Sequence, residues 1–122
     1  TRFLVAMECG VHQIYKNKVL KANDIATMST GKRLGHPVRS IKNPYTKEYF
    51  KLEYSNISDE ELEAYGRGSL YRAAVEGDEK TGCFLAGQIA GMVNKEQTAK
   101  EIIEEIFTQA EDVLKGATKW VK

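Results

Sequence analysis

Apolar and polar positions along the chain predict mainly helices, with two short strands. Over residues 11–22 the apolar side chains recur at helical spacing with lysines between them, which predicts an amphipathic helix. The β-branched runs at residues 25–29 and Val38–Ile41 are separated by glycines and a proline, so they predict two strands joined by a polar loop. An Asn-Pro pair at residues 43–44 ends the second run, and a short helix is predicted over residues 45–54.

Two glycines interrupt the next predicted helix. Ser58 and Glu61 have the spacing of a capping box, in which each side chain accepts a hydrogen bond from the other residue's amide. A helix is therefore expected to begin at Ser58. Gly66 and Gly68 predict a pause, because glycine is costly inside a helix, and the apolar pattern then resumes as far as Gly77.

The C-terminal helix has the clearest pattern. Asn94 is predicted to cap it, Gln97 to close a capping box, and Gly116 to end it. Its apolar stripe consists of Ile102, Ile103, Ile106, Phe107, Ala110, Val113 and Leu114.

An apolar run near the start of the chain does not fit an independent fold. Residues 3–5 (FLV) are the only candidate for a fully buried strand, and a lone buried strand has no neighbours for its backbone groups. The sequence starts with Thr1 rather than Met, directly before this run. We therefore expect the missing strands to lie outside these residues, on a polypeptide that extends further at its N-terminus.

Composition narrows the class of partner. The 122 residues, of which 29% are charged with a formal net charge of +1, fit one soluble domain. Such a balance provides no overall field for nucleic acid, and the longest apolar stretch, residues 83–93, is too short to span a membrane. Cys9 and Cys83 lack the spacing of metal ligands, which favours buried reduced thiols and a cytoplasmic location.

Histidines and basic residues offer weak signals of chemistry. His12 and His36 are far apart without supporting carboxylates or cysteines, so a helix-surface and a loop histidine are favoured over a metal site or catalytic triad. A basic cluster could meet a phosphate-bearing ligand, although a solvated face balanced by acidic helices is favoured. The cluster consists of Lys32, Arg33, Arg39 and Lys42.

Two glycine-rich words are more informative. In AGQIAG, residues 86–91, Gly87 and Gly91 allow close approach of the backbone, and Gln88 offers both a donor and an acceptor. Packing against another element and binding of a ligand are equally compatible with this word. The word GRGS, residues 66–69, fits an anion nest or ion-binding turn, although a helix break is commoner.

Four longer words, in this order and at these spacings, resemble a known family. They resemble the C-terminal part of the flavin-dependent enoyl-acyl-carrier-protein reductases of the second type, which belong with the nitronate monooxygenases, formerly called 2-nitropropane dioxygenases. The resemblance covers essentially the whole chain but only part of such an enzyme. The words are TRFLVAMEC, GHPVRSIKN, GRGSLYRAAVEGD and CFLAGQIAGMVNKEQTAKEI.

The resemblance implies an α/β fold, namely the C-terminal portion of an FMN-binding TIM (β/α)8 barrel with a mostly helical α+β inserted subdomain. Residues 1–6 would be the end of the last barrel strand, and residues 7–82 the inserted lid. Residues 83–122 would return to the barrel and supply its final helix. A strand at one end and a one-faced helix at the other are then two halves of one βα unit.

For activity, the resemblance implies hydride transfer from NAD(P)H through FMN to the β-carbon of an enoyl thioester in fatty-acid synthesis. Thr1 matches the threonine of a Gly-Thr pair that holds the FMN phosphate. The preceding glycine and the family's active-site histidine lie outside this sequence. We therefore expect the chain to be inactive by itself. Nitronate oxidation on the same flavin and a non-catalytic interaction module are the alternatives.

The resemblance also implies partners and a response to monovalent cations. The expected partners are the remainder of the barrel and an acyl-carrier-protein thioester, with a homodimer as a candidate assembly. Irregular glycine-rich turns can offer carbonyl oxygens to a hard cation. The residues where such carbonyls are expected are Gly66, Arg67, Gly68, Ala86, Gly87 and Gln88.

Overall fold

The computed structural model describes residues 1–120. Single turns of 3-10 helix occupy Phe3–Val5, Gln88–Met92 and Thr118–Trp120, and a π-helical turn, Arg72–Glu76, continues the fourth α-helix. The α-helices and strands are α1 (Gln13–Leu20), β1 (Thr27–Thr30), β2 (Val38–Ile41), α2 (Pro44–Glu53), α3 (Asp59–Gly66), α4 (Ser69–Tyr71) and α5 (Ala99–Ala117).

Side-chain caps explain where the early helices begin. The Nδ1 atom of His12 accepts a hydrogen bond from the amide of Ile14 at the start of α1. Asn43 caps α2 with Pro44 at its first position. The predicted capping box is confirmed, since the amide of Ser58 donates to Glu61 Oε2 at 2.8 Å and the amide of Glu61 donates to Ser58 Oγ at 3.2 Å.

The two predicted strands form an antiparallel hairpin. Thr27 pairs with Ile41 and Thr30 with Val38, and β1 starts two residues later than the apolar run suggested. The strand β2 also has a neighbour on its other edge, because Ser40 forms an isolated bridge with Leu85. The hairpin therefore carries the segment that leads into the AGQIAG word.

The core consists of two apolar clusters. One lies around α1 and contains Val19 and Phe84, both fully buried, with the ring of Tyr15 edge-on to that of Phe84 at 5.0 Å. The other lies between α2 and α3, around Leu62. Every buried side-chain nitrogen and oxygen within residues 1–120 has a hydrogen-bond partner. This part of the chain therefore satisfies its own packing and polar groups.

The strand expected at Phe3–Val5 is not formed. These residues make one 3-10 turn, in which the amides of Val5 and Ala6 donate to the carbonyls of Arg2 and Phe3. In the described part of the chain the only sheet is the hairpin, so these amides bond locally. The prediction of a strand here was wrong, whereas the proposed division at residues 1–6, 7–82 and 83–122 stays a prediction.

The predicted ends of the C-terminal helix were also wrong. Thr98, not Asn94, caps the helix. Its Oγ1 accepts a hydrogen bond from the amide of Glu101, and Glu101 Oε2 accepts one from the amide of Thr98. The carboxylate of Glu8 also accepts from the amide of Ala99. This contact from a distant part of the chain favours the later start. At the other end, α5 continues through the predicted stop at residue 116 to residue 117.

The apolar stripe of α5 is mostly uncovered. Of its residues only Ile102 is buried, whereas Phe107 is 67% exposed and Leu114 is 69% exposed. None of the helices in residues 1–120 combines the length and apolar character needed to cross a bilayer.

Candidate functional site

The AGQIAG word starts on an extended segment beside β2. The amide of Ile41 donates to the carbonyl of Phe84 at 2.8 Å, and the amide of Ala86 donates to the carbonyl of Arg39 at 3.1 Å. Together with the bridge at Leu85, these bonds fix the segment along the edge of the hairpin. The backbone ladder therefore determines where Gly87 lies.

Gly87 meets Thr1 at a shallow cavity. The amide of Gly87 donates to Thr1 Oγ1 at 3.1 Å. Among the described residues the hydroxyl proton of Thr1 has no acceptor, so it is available to an oxygen of a bound anion. The cavity has a volume of about 360 Å³, and we call it the Thr1 cavity. It is lined by Thr1, Leu4, Val38, Arg39, Leu85, Ala86 and Gly87.

The two glycines of AGQIAG have different roles. A Cβ atom on Gly91 would lie 2.9 Å from the backbone carbon of Asn23, so Gly91 serves close packing against another segment. A Cβ atom on Gly87 would meet only ordinary contacts, the nearest being Thr1 Oγ1 at 3.7 Å. Gly91 therefore serves packing, whereas Gly87 lies where a ligand can reach the backbone.

The GRGS word forms the turn between α3 and α4. Gly68 has a φ of +74°, which side chains disfavour, and this turn breaks the helix as predicted. The carbonyl of Arg67 already accepts from Arg72 Nη1 at 3.1 Å, and Arg72 Nε donates to the carbonyl of Thr81. The guanidinium group of Arg72 therefore holds the turn together.

The residues predicted for a cation line two different cavities. Gly66 borders a cavity under α2, whereas Ala86 and Gly87 border the Thr1 cavity, and Leu85 lies between them on both walls. Gln88 is exposed. In residues 1–120 there is no group of three His, Cys, Asp or Glu side chains placed to hold a metal ion. A monovalent cation on backbone carbonyls stays a prediction.

The cavity under α2 is aromatic, and we call it the aromatic cavity. It has a volume of about 200 Å³, and it is lined by one face of the hairpin and by side chains of α2 and α4. Burial raises the pKa of Tyr45 to about 12 and also raises the pKa of the Cys83 thiol. Both groups are therefore neutral near pH 7. Prominent lining residues are His36, Val38, Tyr45, Tyr49, Leu70 and Leu85.

The residues of the basic cluster have different partners. Arg33 Nε pairs with Asp59 at 2.8 Å, and its other nitrogens donate to the carbonyls of Ser55 and Ile57. Arg39 instead donates to Thr27 Oγ1 at 3.1 Å, while residues 32 and 42 are exposed. Arg33 fits the interpretation as a solvated face balanced by an acidic helix. Arg39 lines the Thr1 cavity, so contact of the cluster with a phosphate-bearing ligand stays a prediction.

Neither histidine belongs to a metal site or triad in the described residues. His12 caps α1 and packs against Gly77, and His36 is an exposed loop residue at the rim of the aromatic cavity. Both cysteines are free thiols, with Cys83 buried and Cys9 half-buried. The prediction of a buried thiol is therefore confirmed for Cys83 and not for Cys9.

Comparison with known proteins identifies the family. The family model for nitronate monooxygenase matches residues 1–109. The chain belongs to the nitronate monooxygenase family. FabK from Thermotoga maritima has the same fold over 98% of this chain, with a TM-score of 0.92 and 35% sequence identity. The structure of its M276A mutant matches with a TM-score of 0.81 and 32% identity, again over 98% of this chain.

The chain spans only part of these relatives. It covers 38% of the FabK chain and 35% of the mutant chain. FabK is a TIM-barrel enzyme, so these residues form part of such a barrel, and helices with one small hairpin fit its C-terminal portion. Proteins of the nitronate monooxygenase family are flavin-dependent oxidoreductases, as the sequence resemblance implied.

Two buried polar residues that join distant segments were not recognised from the sequence. Lys16 is 5% exposed, and its Nζ donates to the carbonyl of Ala6 at 2.7 Å, although helical periodicity placed it on the polar face of α1. Asn43 was predicted only as a strand stop. Its Nδ2 donates to the carbonyl of Gly82 at 2.7 Å and so joins α2 to the segment entering the cavity wall. No periodic signal marks such contacts, because both partners are distant backbone carbonyls.

Proposed function

We propose that this chain is the C-terminal part of an FMN-dependent enoyl-acyl-carrier-protein reductase that uses NAD(P)H to reduce enoyl thioesters. One observation carries the proposal, namely the match to FabK, an enoyl-acyl-carrier-protein reductase of the second type, over 98% of this chain at a TM-score of 0.92. The fold alone would not identify a reaction, since TIM barrels host many chemistries. The sequence identity of 35% therefore adds support that shape alone lacks.

The Thr1 cavity fits a contact to the flavin phosphate. The hydroxyl of Thr1 is fixed by the amide of Gly87 and keeps its proton free to donate, which suits a phosphate oxygen. Gly87 leaves the backbone accessible. In the proposed enzyme Thr1 therefore positions the phosphate, and the apolar wall formed by Leu4 and Leu85 excludes water beside it. When bound, the flavin supplies the two-electron redox chemistry of the reaction.

The remainder of the barrel is the partner that this proposal requires. It must bring the other flavin contacts and the active-site histidine, and we expect the chain alone to be inactive. An acyl-carrier-protein thioester as substrate, a homodimer and a cytoplasmic location belong to the same proposal. So does a monovalent cation at the carbonyls of the two glycine-rich turns, residues 66–68 and 86–88.

The test uses the protein that contains this chain together with the rest of the barrel. The purified protein should be yellow, release FMN on denaturation, and oxidise NADH or NADPH only when crotonyl thioester is present. Thr1→Val serves as the site variant, and Thr108→Val at an exposed position of α5 is its control. Thr1→Val should lower FMN affinity about tenfold, the effect of losing one hydrogen bond to a charged group. Absence of thioester-dependent oxidation would reject the proposed reaction.

A second candidate reaction is nitronate oxidation. The family model that matches residues 1–109 carries that name. This alternative uses O₂ and needs no NAD(P)H, so an oxygen electrode separates the two reactions. Consumption of O₂ with propyl-2-nitronate, in a protein that ignores the enoyl thioester, would replace the first proposal with the second.

A further inference from the structure

The aromatic cavity and the Thr1 cavity lie next to each other. Val38 and Leu85 belong to the walls of both. A ligand in the aromatic cavity therefore lies beside the molecule that the Thr1 cavity holds, separated from it by these two side chains.

The local backbone explains why the two cavities share a wall. Alternate residues of an extended segment face the same side, so Cys83, Leu85 and Gly87 share one face beside β2. Cys83 borders the aromatic cavity and Gly87 borders the Thr1 cavity. Four residues of extended chain span about 13 Å, so the short segment from Cys83 to Gly87 passes from one cavity to the other.

The chemistry of the aromatic cavity selects against charged ligands. Its lining residues include no Lys, Arg, Asp or Glu. Burial raises the pKa values of Tyr45, Tyr49 and Cys83, which keeps all three neutral at pH 7. The phosphates of a nicotinamide cofactor and the anionic group of a nitronate would find no Lys or Arg side chain there, and His36 lies at the rim. An uncharged hydrocarbon chain needs no such partner.

Size supports the same choice. The volume of about 200 Å³ is below the roughly 300–1,000 Å³ of pockets that enclose drug-sized ligands. A dinucleotide is therefore too large for it, whereas a narrow alkyl chain fits. Leu70 and Val38 are 53% and 40% exposed, so the rim of the cavity is itself apolar. Their apolar surface would be removed from water when such a chain enters.

We propose that the aromatic cavity binds the acyl chain of the enoyl thioester, beside the Thr1 cavity that the proposed function assigns to the flavin phosphate. This inference rests on the proposed reductase function. Tyr45 and Tyr49 from α2 form one wall, and Val38 and Leu85 from the hairpin side form the other. The cavity thereby sets the preferred chain length, since methylenes beyond its end remain in solvent.

The first test compares enoyl thioesters from crotonyl to dodecenoyl on the protein that includes the rest of the barrel. The value of kcat/KM should rise up to about fourfold for each methylene that enters the cavity. It should then level off when the cavity is full. A flat series, in a protein that reduces crotonyl thioester, would overturn the acyl-chain inference and leave the reductase proposal standing. Absence of reduction with every thioester would instead reject the reductase proposal and, with it, this inference.

The second test narrows the rim with Leu70→Trp. The octenoyl-to-crotonyl ratio of kcat/KM should fall about tenfold or more, because roughly two or more methylenes lose their burial. Tyr71→Trp is the matched control, since Tyr71 is adjacent, is 58% exposed and lies outside the cavity lining. The control should keep the wild-type ratio, and flavin content verifies folding of both variants.

Two results of the second test would overturn the inference. One is an unchanged ratio in a folded, flavin-loaded Leu70→Trp variant. The other is a rise in the KM of NADH or NADPH, with no change in the chain-length series, which would identify the nicotinamide cofactor as the occupant. If Leu70→Trp does not fold, the wild-type chain-length series decides by itself.

Discussion

The hairpin core and the C-terminal helix bury their apolar side chains to opposite extents. Phe84 and Leu62 in the core are fully buried. On α5, by contrast, Phe107 is 67% exposed and Leu114 is 69% exposed. Both regions have strongly apolar positions, so composition does not explain the difference. The core has its packing partners within this chain, and α5 does not. The chain covers 38% of FabK, and we therefore expect the remainder of the barrel to cover α5.

The largest expected effect compares two phenylalanines on this chain. Phe84→Ala should lower the free energy of unfolding by about 3–5 kcal/mol, because it removes a fully buried ring and leaves a cavity. Phe107→Ala should cost less than about 1 kcal/mol, as expected for an exposed site. Urea unfolding of both variants measures the difference. Equal costs would contradict the division into a covered and an uncovered region.

The presence of the rest of the barrel should increase the effect of an α5 substitution on the free energy of unfolding. Ile106 is 41% exposed in this chain. Once the barrel covers it, Ile106→Ala should lower the free energy of unfolding by about 2–5 kcal/mol. In the chain alone the same change should cost under about 1 kcal/mol, and the bare stripe should cause self-association. Denaturant unfolding with and without the barrel measures the costs, and light scattering measures association. A monomeric chain with equal costs in both settings would refute the assignment of the barrel as cover.

Adding a methyl group at two glycines tests whether each region is tightly packed. Gly91→Ala should destabilise by about 1–3 kcal/mol, since its Cβ would lie 2.9 Å from the backbone of Asn23. Gly116→Ala should stabilise by about 0.5–1 kcal/mol, because nothing lies within 4 Å and the site is inside α5. Thermal unfolding should therefore move in opposite directions for the pair. A stabilising Gly91→Ala would remove the packing role assigned to that glycine.

Tyrosine titration should affect the core only. Burial raises the pKa of Tyr15 and of Tyr45 to about 12, from an ordinary value of 10.0. The unfolded chain therefore loses these protons first, so stability is intact below pH 10 and falls as the pH rises towards 12. Each tyrosine contributes at most about 1.4 kcal/mol per pH unit. Unfolding of Tyr45→Phe between pH 9 and 11.5 should show a shallower loss than the wild type, and an identical slope would argue against a buried neutral Tyr45.

The smallest expected effect concerns the start of α5. Thr98→Ala should cost about 1 kcal/mol, because its hydroxyl accepts from the amide of Glu101. Asn94→Ala should cost close to zero, since Asn94 lies outside the helix. Far-UV circular dichroism through a urea titration measures both. A larger loss for Asn94→Ala would restore the capping position expected from the sequence.

Local patterns predicted much of the fold. The capping box at Ser58 and the helix break at Gly68 depend on hydrogen bonds and dihedral angles within a few residues, and both are confirmed. The apolar stripe of α5 was also recognised from its helical spacing. The family resemblance was confirmed by the match over residues 1–109. The features that could be predicted therefore depend on neighbouring residues or on long motifs shared with the family.

The candidate site depended on contacts between distant residues. The AGQIAG word left packing and ligand binding equally open, and only the structure separates Gly91 against Asn23 from Gly87 beside Thr1. The aromatic cavity had no signal in the sequence, because its walls come from the hairpin, α2 and α4. Periodicity shows that a residue faces inward, but it does not show which residue it faces.

The amino-acid sequence by itself determined most of the helices, the two strands, the apolar stripe and the family. Tertiary structure alone decided that Phe3–Val5 is a turn, that Thr98 begins α5 and that Lys16 is buried. In each of these cases a backbone group forms a hydrogen bond with the partner that is available. The amides after Phe3 donate to local carbonyls instead of to a neighbouring strand. The amide of Ala99 donates to Glu8, and Lys16 donates to the carbonyl of Ala6. Hydrogen bonds between residues far apart in the chain form only after the elements have packed, and local sequence therefore does not encode them separately.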